Sequence, residues 1–266
     1  MREAWKKVTK LFYQPHRPGD FTEPVYHELK HLPQRNAYLR VLHGSLVGTL
    51  ARLFGSRERA YRVVMNERLV ELPFVLRHLT LSPGAAVLEF GHVKSRLSLE
   101  LASLGYRVTG VDLRRYPYSH PNLQSLEGDV RSAGLPQGSF DAVVAVSAIE
   151  HCGLSGYGET GFERGDREIV AELCRLLRPG GVFLVTVPYG APGVSARGWR
   201  VYDAAGLEEL LRPLRVRERR YFRGVERRYW IPATADELAR VDSVAAGHVQ
   251  GVVCVCAVKA AAATAT

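Results

Sequence analysis

Short apolar runs alternate with helical patterns along most of the chain after residue 80. Runs rich in β-branched residues, bounded by glycine, proline and polar residues, predict strands. The predicted strands are Ala86–Phe90, Arg107–Asp112, Leu123–Glu127, Phe140–Ser147, Val182–Val187, Val216–Arg223 and Val252–Val258. The predicted helices between them are Lys94–Leu104, Asp166–Leu177 and Asp203–Leu211. Strands that alternate with helices indicate an α/β protein built on a parallel sheet.

The run Phe140–Ser147, FDAVVAVS, is apolar almost throughout. Such a run is typical of a central parallel strand buried on both faces, and we expect it beside Ala86–Phe90. The last two apolar runs lie close to the C-terminus and predict an antiparallel addition to the sheet. The predicted fold class is therefore a Rossmann-like, doubly wound sheet of seven strands, mostly parallel with an antiparallel C-terminal strand, preceded by N-terminal helices.

The first eighty residues follow a different pattern. Residues 1–35 hold four prolines among polar and aromatic residues, which predicts an extended arm. Leucines three and four apart predict an amphipathic helix over Asn36–Phe54, and a second helical run covers Arg57–Leu79 with a bend near Pro73. We expect an N-terminal arm and helical cap over 1–80, the α/β domain over 81–260 and a disordered tail over 261–266.

The composition is that of a globular protein. The chain has 266 residues, of which 46% are hydrophobic and 24% charged, which is ordinary for a soluble domain. It has no run of the ~20 apolar residues that a membrane helix needs, and its first ten residues lack the apolar stretch of a signal peptide. We therefore expect a cytoplasmic protein without a membrane span.

Four cysteines, Cys152, Cys174, Cys254 and Cys256, are too few and too scattered for a disulfide framework. Cys254 and Cys256 would share one face of a strand. A C-x-C pair without a second cluster is a weak zinc signal, so this spacing favours buried thiols. We predict reduced, structural cysteines and no metal site.

The formal net charge is +9, and arginine supplies most of it. The segment Arg212–Arg228 holds eight arginines interleaved with aromatic residues, against two glutamates. Such a segment suits RNA or an anionic substrate, and it suits equally the solvated face of a strand. Arg114, Arg115 and Arg197 lie near predicted strand ends and would add to an anionic acceptor site. Both interpretations of the basic segment stay open.

The segment Ala86–Ser95, AVLEFGHVKS, joins the first predicted strand to the first helix. In nucleotide-binding α/β sheets this turn takes the charged part of the ligand, and an acidic residue ending the second strand holds the ribose hydroxyls. Asp112 stands at that second position. Val93 and Ser95 stand where the usual fingerprint has its second and third glycines, so the turn alone is a weak indication.

Five segments, in this order and at these distances, resemble the class I S-adenosylmethionine-dependent methyltransferases over roughly residues 70–260. They are LEFG, GVD, EGD, SFDAVVAVSAIEH and ELCRLLRPGGVFLVTVP. A narrower resemblance is to a bacterial subgroup with a glycine-poor first motif, an EH-x-GL-x-x-YG loop, a GD pair and a VP-[YF]-G segment. Here these are Glu150–Gly158, Gly165-Asp166 and Val187–Gly190.

The resemblance implies S-adenosylmethionine as the cofactor and assigns residues to its site. The implied binding residues are Glu89, Gly91, His92, Ser95, Asp112, Leu113, Asp129, Val130 and Ser147. Asp112 would accept from the ribose hydroxyls, and Asp129 would accept from the adenine amino group. Both are also common turn residues. A side chain at Gly91 would block the approach of the ligand, and Ser147 would line the sulfonium region.

Methyl transfer is an in-line displacement to which positioning contributes most, and a hydroxyl acceptor also needs a general base. His151, just after the fourth strand, is the candidate base, and a structural histidine is equally compatible with its position. Glu150 would orient His151 or contact the acceptor. Tyr157 lies in a glycine-rich loop that would close over the substrate.

We therefore expect an S-adenosylmethionine-dependent methyltransferase acting on a small-molecule or glycan-type acceptor at oxygen, and an anionic acceptor suits the arginine content. Two alternatives stay open. One is an RNA methyltransferase, because of the basic charge. The other is a methyltransferase-fold protein without activity that has a structural or regulatory role. The oligomeric state is not indicated.

Overall fold

The computed structural model describes residues 66–154, 165–225 and 229–260. The strands in these ranges are β1 (Ala86–Phe90), β2 (Arg107–Asp112), β3 (Leu123–Glu127), β4 (Phe140–Val146), β5 (Leu177–Pro188), β6 (Gly193–Ser195), β7 (Trp199–Val201), β8 (Leu214–Val225), β9 (Tyr229–Ala233) and β10 (Gly251–Lys259). The helices are α1 (Arg68–His78), α2 (Leu97–Ser103), α3 (Gly165–Leu176), α4 (Ala204–Leu210), α5 (Ala235–Ala239) and α6 (Ser243–Ala246).

One sheet contains eight of these strands, in the order β3-β2-β1-β4-β5-β10-β8-β9. The strands β3, β2, β1, β4 and β5 run parallel to one another. Strand β10 is antiparallel to both β5 and β8. The predicted doubly wound class is confirmed, including the place of β4 beside β1. The predicted count of seven strands was one too low, because β9 extends the sheet beyond β8.

Both faces of the central strands β1, β4, β5 and β10 are buried. On one face α3 and α4 pack on the sheet, and Leu173 and Leu207 belong to the same buried cluster as Val255. On the other face α1 and α2 pack near Cys254 and Cys256, which share this face as predicted. All four cysteines are buried free thiols. None of the helices in the described ranges has the length and apolar content needed to span a bilayer.

Two elements begin at clearly different residues than predicted, and one hairpin was not predicted. Helix α2 begins at Leu97 rather than Lys94, because the chain needs the preceding residues to turn away from β1. Strand β5 begins at Leu177, before the Pro179-Gly180-Gly181 turn that was expected to precede it. Phe140 pairs with Leu177 and Ala142 with Val182, so the turn residues are accommodated as an irregularity between these pairs. The β6–β7 hairpin was not predicted, since three-residue strands have too short a pattern to detect.

The predicted N-terminal arm, the predicted helix Asn36–Phe54 and the tail 261–266 lie outside the described residues. Within the second predicted helical run, α1 is present and contains Pro73. Phe74 and Val75 of α1 are buried in the core beside the sheet. The division into an arm, a cap and an α/β domain stays a prediction.

A buried histidine occupies space under the second strand. His92 is fully buried, and its Nδ1 and Nε2 atoms each lie 3.1 Å from a serine hydroxyl, those of Ser98 and Ser125. A Cβ atom on Gly110 of β2 would lie 2.1 Å from His92 Nδ1. The absence of a side chain at Gly110 therefore makes room for the histidine ring.

We predict that Gly110→Ala lowers the free energy of unfolding by about 1–3 kcal/mol, the usual cost of overpacking a core. Urea denaturation measures this change. Gly224→Ala in β8 is the control, because a Cβ there would meet the Trp230 ring at 3.4 Å, an ordinary contact. A Gly110→Ala variant as stable as the Gly224→Ala variant would contradict the packing described.

Candidate functional site

A cavity of about 220 Å³ opens at the carboxyl ends of the parallel strands. It lies where the strand order reverses between β1 and β4, which is where open α/β sheets bind ligands. Seven of the residues predicted from the sequence line it: Gly91, Asp112, Leu113, Asp129, Val130, Ser147 and His151. The structure thus brings together residues from the ends of four strands.

The turn after β1 depends on Gly91. Its φ angle is +78°, in the left-handed region that favours glycine. A Cβ atom there would lie 2.5 Å from the Cβ atom of Ala148, which follows β4 on the neighbouring strand. Gly91 is therefore required by the closeness of two chain segments as well as by its backbone conformation.

Asp112 ties this turn to the end of β2. Its carboxylate is 8% exposed and accepts a hydrogen bond from the Val93 backbone amide at 3.0 Å. It also accepts from the backbone amide of Arg114 at 3.1 Å and from Arg114 Nε at 3.3 Å. Since an ionised carboxylate has about four acceptor positions, Asp112 keeps capacity for a further donor.

Three other predicted binding residues, Glu89, His92 and Ser95, lie beneath the turn rather than along the cavity lining. The Ser98 hydroxyl donates to the buried Glu89 carboxyl. The Ser95 side chain makes a second hydrogen bond to the same carboxyl. Burial raises the pKa of Glu89 to about 7. Burial lowers the pKa of His92 to about 4, so its ring is neutral at pH 7.

An aromatic residue, Tyr116, contacts two residues of this turn. Tyr116 stacks on His92 with ring centroids 4.3 Å apart, and its hydroxyl donates to the Ser95 carbonyl at 2.8 Å. Burial raises the pKa of Tyr116 to about 12, so the hydroxyl remains a donor. The glycine-poor turn is thus supported by a stacked pair and a polar network where other turns use glycines.

Asp129 and Val130 form the rim that follows β3. Asp129 accepts from the Arg131 backbone amide at 2.9 Å, which caps the short 3-10 helix Val130–Ser132. Its ion pair with Arg131 lowers the pKa of Asp129. The Val130 side chain is almost fully buried and gives this end of the cavity an apolar surface.

Ser147 connects the opposite end of the cavity to α1. It has a φ angle of +42°, which is unusual for a residue other than glycine. Its hydroxyl donates to Glu71 Oε1 at 2.7 Å. Glu71 is fully buried, and its Oε2 atom accepts from Arg68, which lines the cavity. The predictions from the sequence missed Arg68 and Glu71, because α1 precedes every motif that indicates the site.

His151 is held by a backbone carbonyl. Its Nδ1 atom lies 2.6 Å from the carbonyl oxygen of Gly198, in the turn between β6 and β7. A carbonyl oxygen only accepts hydrogen bonds, so Nδ1 carries the proton, and the neutral ring has its lone pair on Nε2. Burial lowers the pKa of His151, and the charges of Lys94 and Arg68 act in the same direction. The ring is therefore a neutral base at pH 7.

Glu150 is almost completely buried beside His151. Its Oε1 atom lies 3.9 Å from His151 Nε2, and its Oε2 atom has no hydrogen-bond partner among the described residues. Burial raises the pKa of Glu150 to about 8, and the nearby charge of Glu71 adds to this effect. The Glu150 carboxyl is mostly protonated at pH 7. Tyr157, the third predicted catalytic residue, lies outside the described residues.

The basic segment predicted at Arg212–Arg228 is spread over both faces of β8. Tyr221 packs with the core on one face and Phe222 with the core on the other. Two of its arginines form ion pairs, Arg219 with Glu208 and Arg220 with Glu218. In the described part of the segment, the arginines do not form one continuous basic surface.

Comparisons with known proteins agree with this fold. Residues 88–185 match the family model described as a methyltransferase domain. A ubiquinone biosynthesis O-methyltransferase of Nitrosococcus oceani is 28% identical over 149 residues, which are 52% of this chain and 58% of that protein. A ubiquinone biosynthesis O-methyltransferase of Xanthomonas oryzae is 33% identical over 129 residues, 44% of this chain and 49% of that protein. The chain spans about half the length of the curated relatives it matches.

Solved structures share the fold at low sequence identity. The [4+2]-cyclase SpnF has a TM-score of 0.54 and 21% identity, over 73% of this chain and 81% of its own. The Burkholderia thailandensis 1,6-didemethyltoxoflavin N1-methyltransferase was crystallised with S-adenosylhomocysteine. It has a TM-score of 0.51 and 18% identity, and the match covers 93% of this chain and 100% of its own. The match of residues 88–185 to a methyltransferase domain, together with these relatives, supports the predicted class I S-adenosylmethionine-dependent methyltransferase.

The buried Glu150 carboxyl gives a prediction for stability. The native state keeps the Glu150 proton up to about pH 8, whereas the unfolded chain loses it near pH 4.5. The contribution of this group to stability is therefore complete at low pH and decreases as the pH rises from 4.5 to 8. Glu150→Gln removes this decrease. From pH 5 to pH 8, we expect the stability of the variant relative to wild type to increase by about 1–3 kcal/mol.

Thermal or urea unfolding at the two pH values measures this change. Glu100→Gln, at an exposed position on α2, is the control and is expected to change stability by less than ~0.5 kcal/mol at both. An equal effect of Glu150→Gln at pH 5 and pH 8 would mean that Glu150 is ionised in the native protein.

Proposed function

We propose that the protein binds S-adenosylmethionine in this cavity and transfers its methyl group to an oxygen atom of a small-molecule acceptor. The observation that carries the proposal is the meeting of Gly91, Asp112 and Asp129 around one cavity at the carboxyl ends of β1, β2 and β3. The match of residues 88–185 to a methyltransferase domain supports it independently.

The residues of the cavity fit each part of the cofactor. The buried Asp112 carboxylate suits the two ribose hydroxyls, which are donors. Asp129 suits the adenine amino group, and the apolar Val130 suits the ring. The close approach of chain segments at Gly91 leaves backbone facing the methionine part, with Leu113 and Ser147 at the sides. Glu89, His92 and Ser95 support the turn from beneath.

When bound, the cofactor supplies an electrophilic methyl group on a sulfonium sulfur. The task of the protein is to hold an acceptor hydroxyl in line and to remove its proton. His151 is suited to this because it lines the cavity as a neutral ring with a basic Nε2 atom. Glu150, whose Oε1 atom lies 3.9 Å from this Nε2 atom, is mostly protonated and adds no competing negative charge. Tyr157 remains a predicted contact to the acceptor.

The charges around His151 indicate which charge the acceptor should carry. Lys94 and Arg68 line this end of the cavity, and both lower the pKa of His151. A positive surface of this kind favours an acceptor that carries a carboxylate or another anionic group. The curated relatives are named for O-methylation in ubiquinone biosynthesis, which supports oxygen as the acceptor atom. A glycan acceptor stays a prediction from the sequence.

The competing proposals have less support. An RNA methyltransferase would use the +9 charge, but the ion pairs of Arg219 and Arg220 and their spread over β8 weaken it. A protein without methyl transfer is compatible with the fold, since a [4+2]-cyclase shares it.

Finally, we propose a cytoplasmic location, which the four free thiols support.

We predict that the protein binds S-adenosylhomocysteine and that Asp112→Ala weakens this binding about 10- to 100-fold, because charge-assisted hydrogen bonds contribute ~1.5–3 kcal/mol each. Isothermal titration calorimetry measures the affinity. Asp236→Ala, at an exposed position on α5, should bind as wild type does. Wild-type protein that does not bind the ligand would refute the proposed function.

We predict that His151→Gln lowers the rate of methyl transfer to hydroxyl acceptors about 10²- to 10⁴-fold, the contribution of a general base. Binding of S-adenosylhomocysteine should stay within about twofold of wild type. Because the pKa of His151 is lowered, the wild-type rate should fall only below pH 6.5. A panel of catechols with and without a carboxylate serves as acceptors. A variant with the wild-type rate would leave His151 a structural role only.

A further inference from the structure

The arginine of the β6–β7 hairpin joins three separate segments. Arg200 on β7 forms an ion pair with Asp166 at the start of α3, with Nη1 and Oδ2 3.1 Å apart. The same Nη1 atom donates to the backbone carbonyl of Cys152 at 3.1 Å. The two side chains are 16% and 6% exposed. This is a buried ion pair that reaches the residue directly after His151.

Two further contacts hold Asp166 in place. The hydroxyl of Tyr202 donates to Asp166 Oδ2 at 2.8 Å, and burial raises the pKa of this tyrosine, which keeps it a donor. Gly165 packs directly on Gly153, since a Cβ atom at Gly165 would lie 2.6 Å from Gly153 Cα. The start of α3 is therefore fixed against the turn that carries His151. This accounts for the Gly165-Asp166 pair that stands out in the sequence.

The same hairpin provides the partner of His151. Gly198, two residues before Arg200, accepts the proton of His151 Nδ1 at 2.6 Å. The hairpin therefore contacts the His151 turn twice, through the Gly198 carbonyl and through Arg200 on Cys152. If Arg200 moved, the Gly198 carbonyl would move with it, because the two residues are separated only by the buried Trp199.

We propose that Asp166, Arg200 and Tyr202 act as a positioning unit that keeps His151 protonated at Nδ1 and directs its Nε2 atom into the cavity. Buried ion pairs are often no better for stability than apolar residues of the same size, which leaves room for a positioning role. The planar guanidinium suits two fixed acceptors, the Asp166 carboxylate and the Cys152 carbonyl. The proposal concerns the tautomer and the orientation of the His151 ring. It rests on the proposed function only where it gives that tautomer a role in methyl transfer.

The test is nuclear magnetic resonance of the whole chain with ¹⁵N-labelled histidine, which reports the tautomer and the pKa of His151 without any acceptor. Arg200→Lys keeps the charge but not the planar geometry. Tyr202→Phe removes only the hydroxyl that hydrogen-bonds Asp166 and Arg200, and it is the milder variant should Arg200→Lys fold poorly. Arg167→Gln is the matched control, because Arg167 neighbours Asp166 in the chain but pairs with Glu209 on α4.

We expect wild type and Arg167→Gln to show His151 protonated at Nδ1 alone. In Arg200→Lys, and to a smaller degree in Tyr202→Phe, the signals should shift toward a mixture of tautomers, and the pKa of His151 should fall further, because the hydrogen bond to the Gly198 carbonyl raises it and would be weakened. The rate of methyl transfer should fall at least ~10-fold, as for a misplaced catalytic group, with unchanged binding of S-adenosylhomocysteine.

Folded Arg200→Lys and Tyr202→Phe variants with the His151 signals of wild type would overturn the positioning role. Failure of the proposed function has a different signature. In that case the protein would not bind S-adenosylhomocysteine, or His151→Gln would keep the wild-type rate, while the His151 signals could still respond to the Arg200 variant.

Discussion

The hydrogen bond from the Val93 amide to the Asp112 carboxylate is the contact on which the candidate site depends. It joins the turn after β1 to the end of β2, and these two segments form one side of the cavity. A turn with three glycines can approach a ligand without support, because it has no side chains to place. This turn carries His92, Val93 and Ser95, so its side chains need places of their own.

The chain provides those places beneath the turn. His92 fits into the space left by Gly110 and stacks on Tyr116, with Ser98 and Ser125 at its two nitrogens. The His92 ring is thereby held away from the cavity, whereas Lys94 of the same turn lines it. The replacement of glycines in this turn therefore does not put the His92 ring into the cavity, because the ring is packed in the protein interior.

Much of the parallel sheet could be predicted, because buried strands leave continuous apolar runs whose ends are clear. The bounds of β1, β2 and β3 agree with their predictions. The sequence could not indicate that His92 points inward, since a motif locates a turn but not the direction of its side chains. Nor could it connect Glu71 to Ser147 or Gly198 to His151, because both contacts join segments that only the fold brings together.

The two carboxyl groups Asp112 and Glu150 of the site differ in their surroundings. Asp112 accepts from two backbone amides and from Arg114, whereas the Glu150 carboxyl has a hydrogen bond to its own backbone amide that burial outweighs, so that its pKa is raised to about 8. One carboxyl is thus suited to accept from ligand hydroxyls, and the other leaves the neutral His151 undisturbed. In the function that we propose, cofactor binding at β2 and β3 is separate from proton removal at the end of β4.

The most direct test of this account is a crystal structure of the protein with S-adenosylhomocysteine. The account predicts ribose hydroxyls at about 3 Å from the Asp112 carboxylate, the adenine ring beside Val130 and the His92 ring still buried under the turn. A ligand bound elsewhere, or a His92 ring displaced into the cavity, would contradict it.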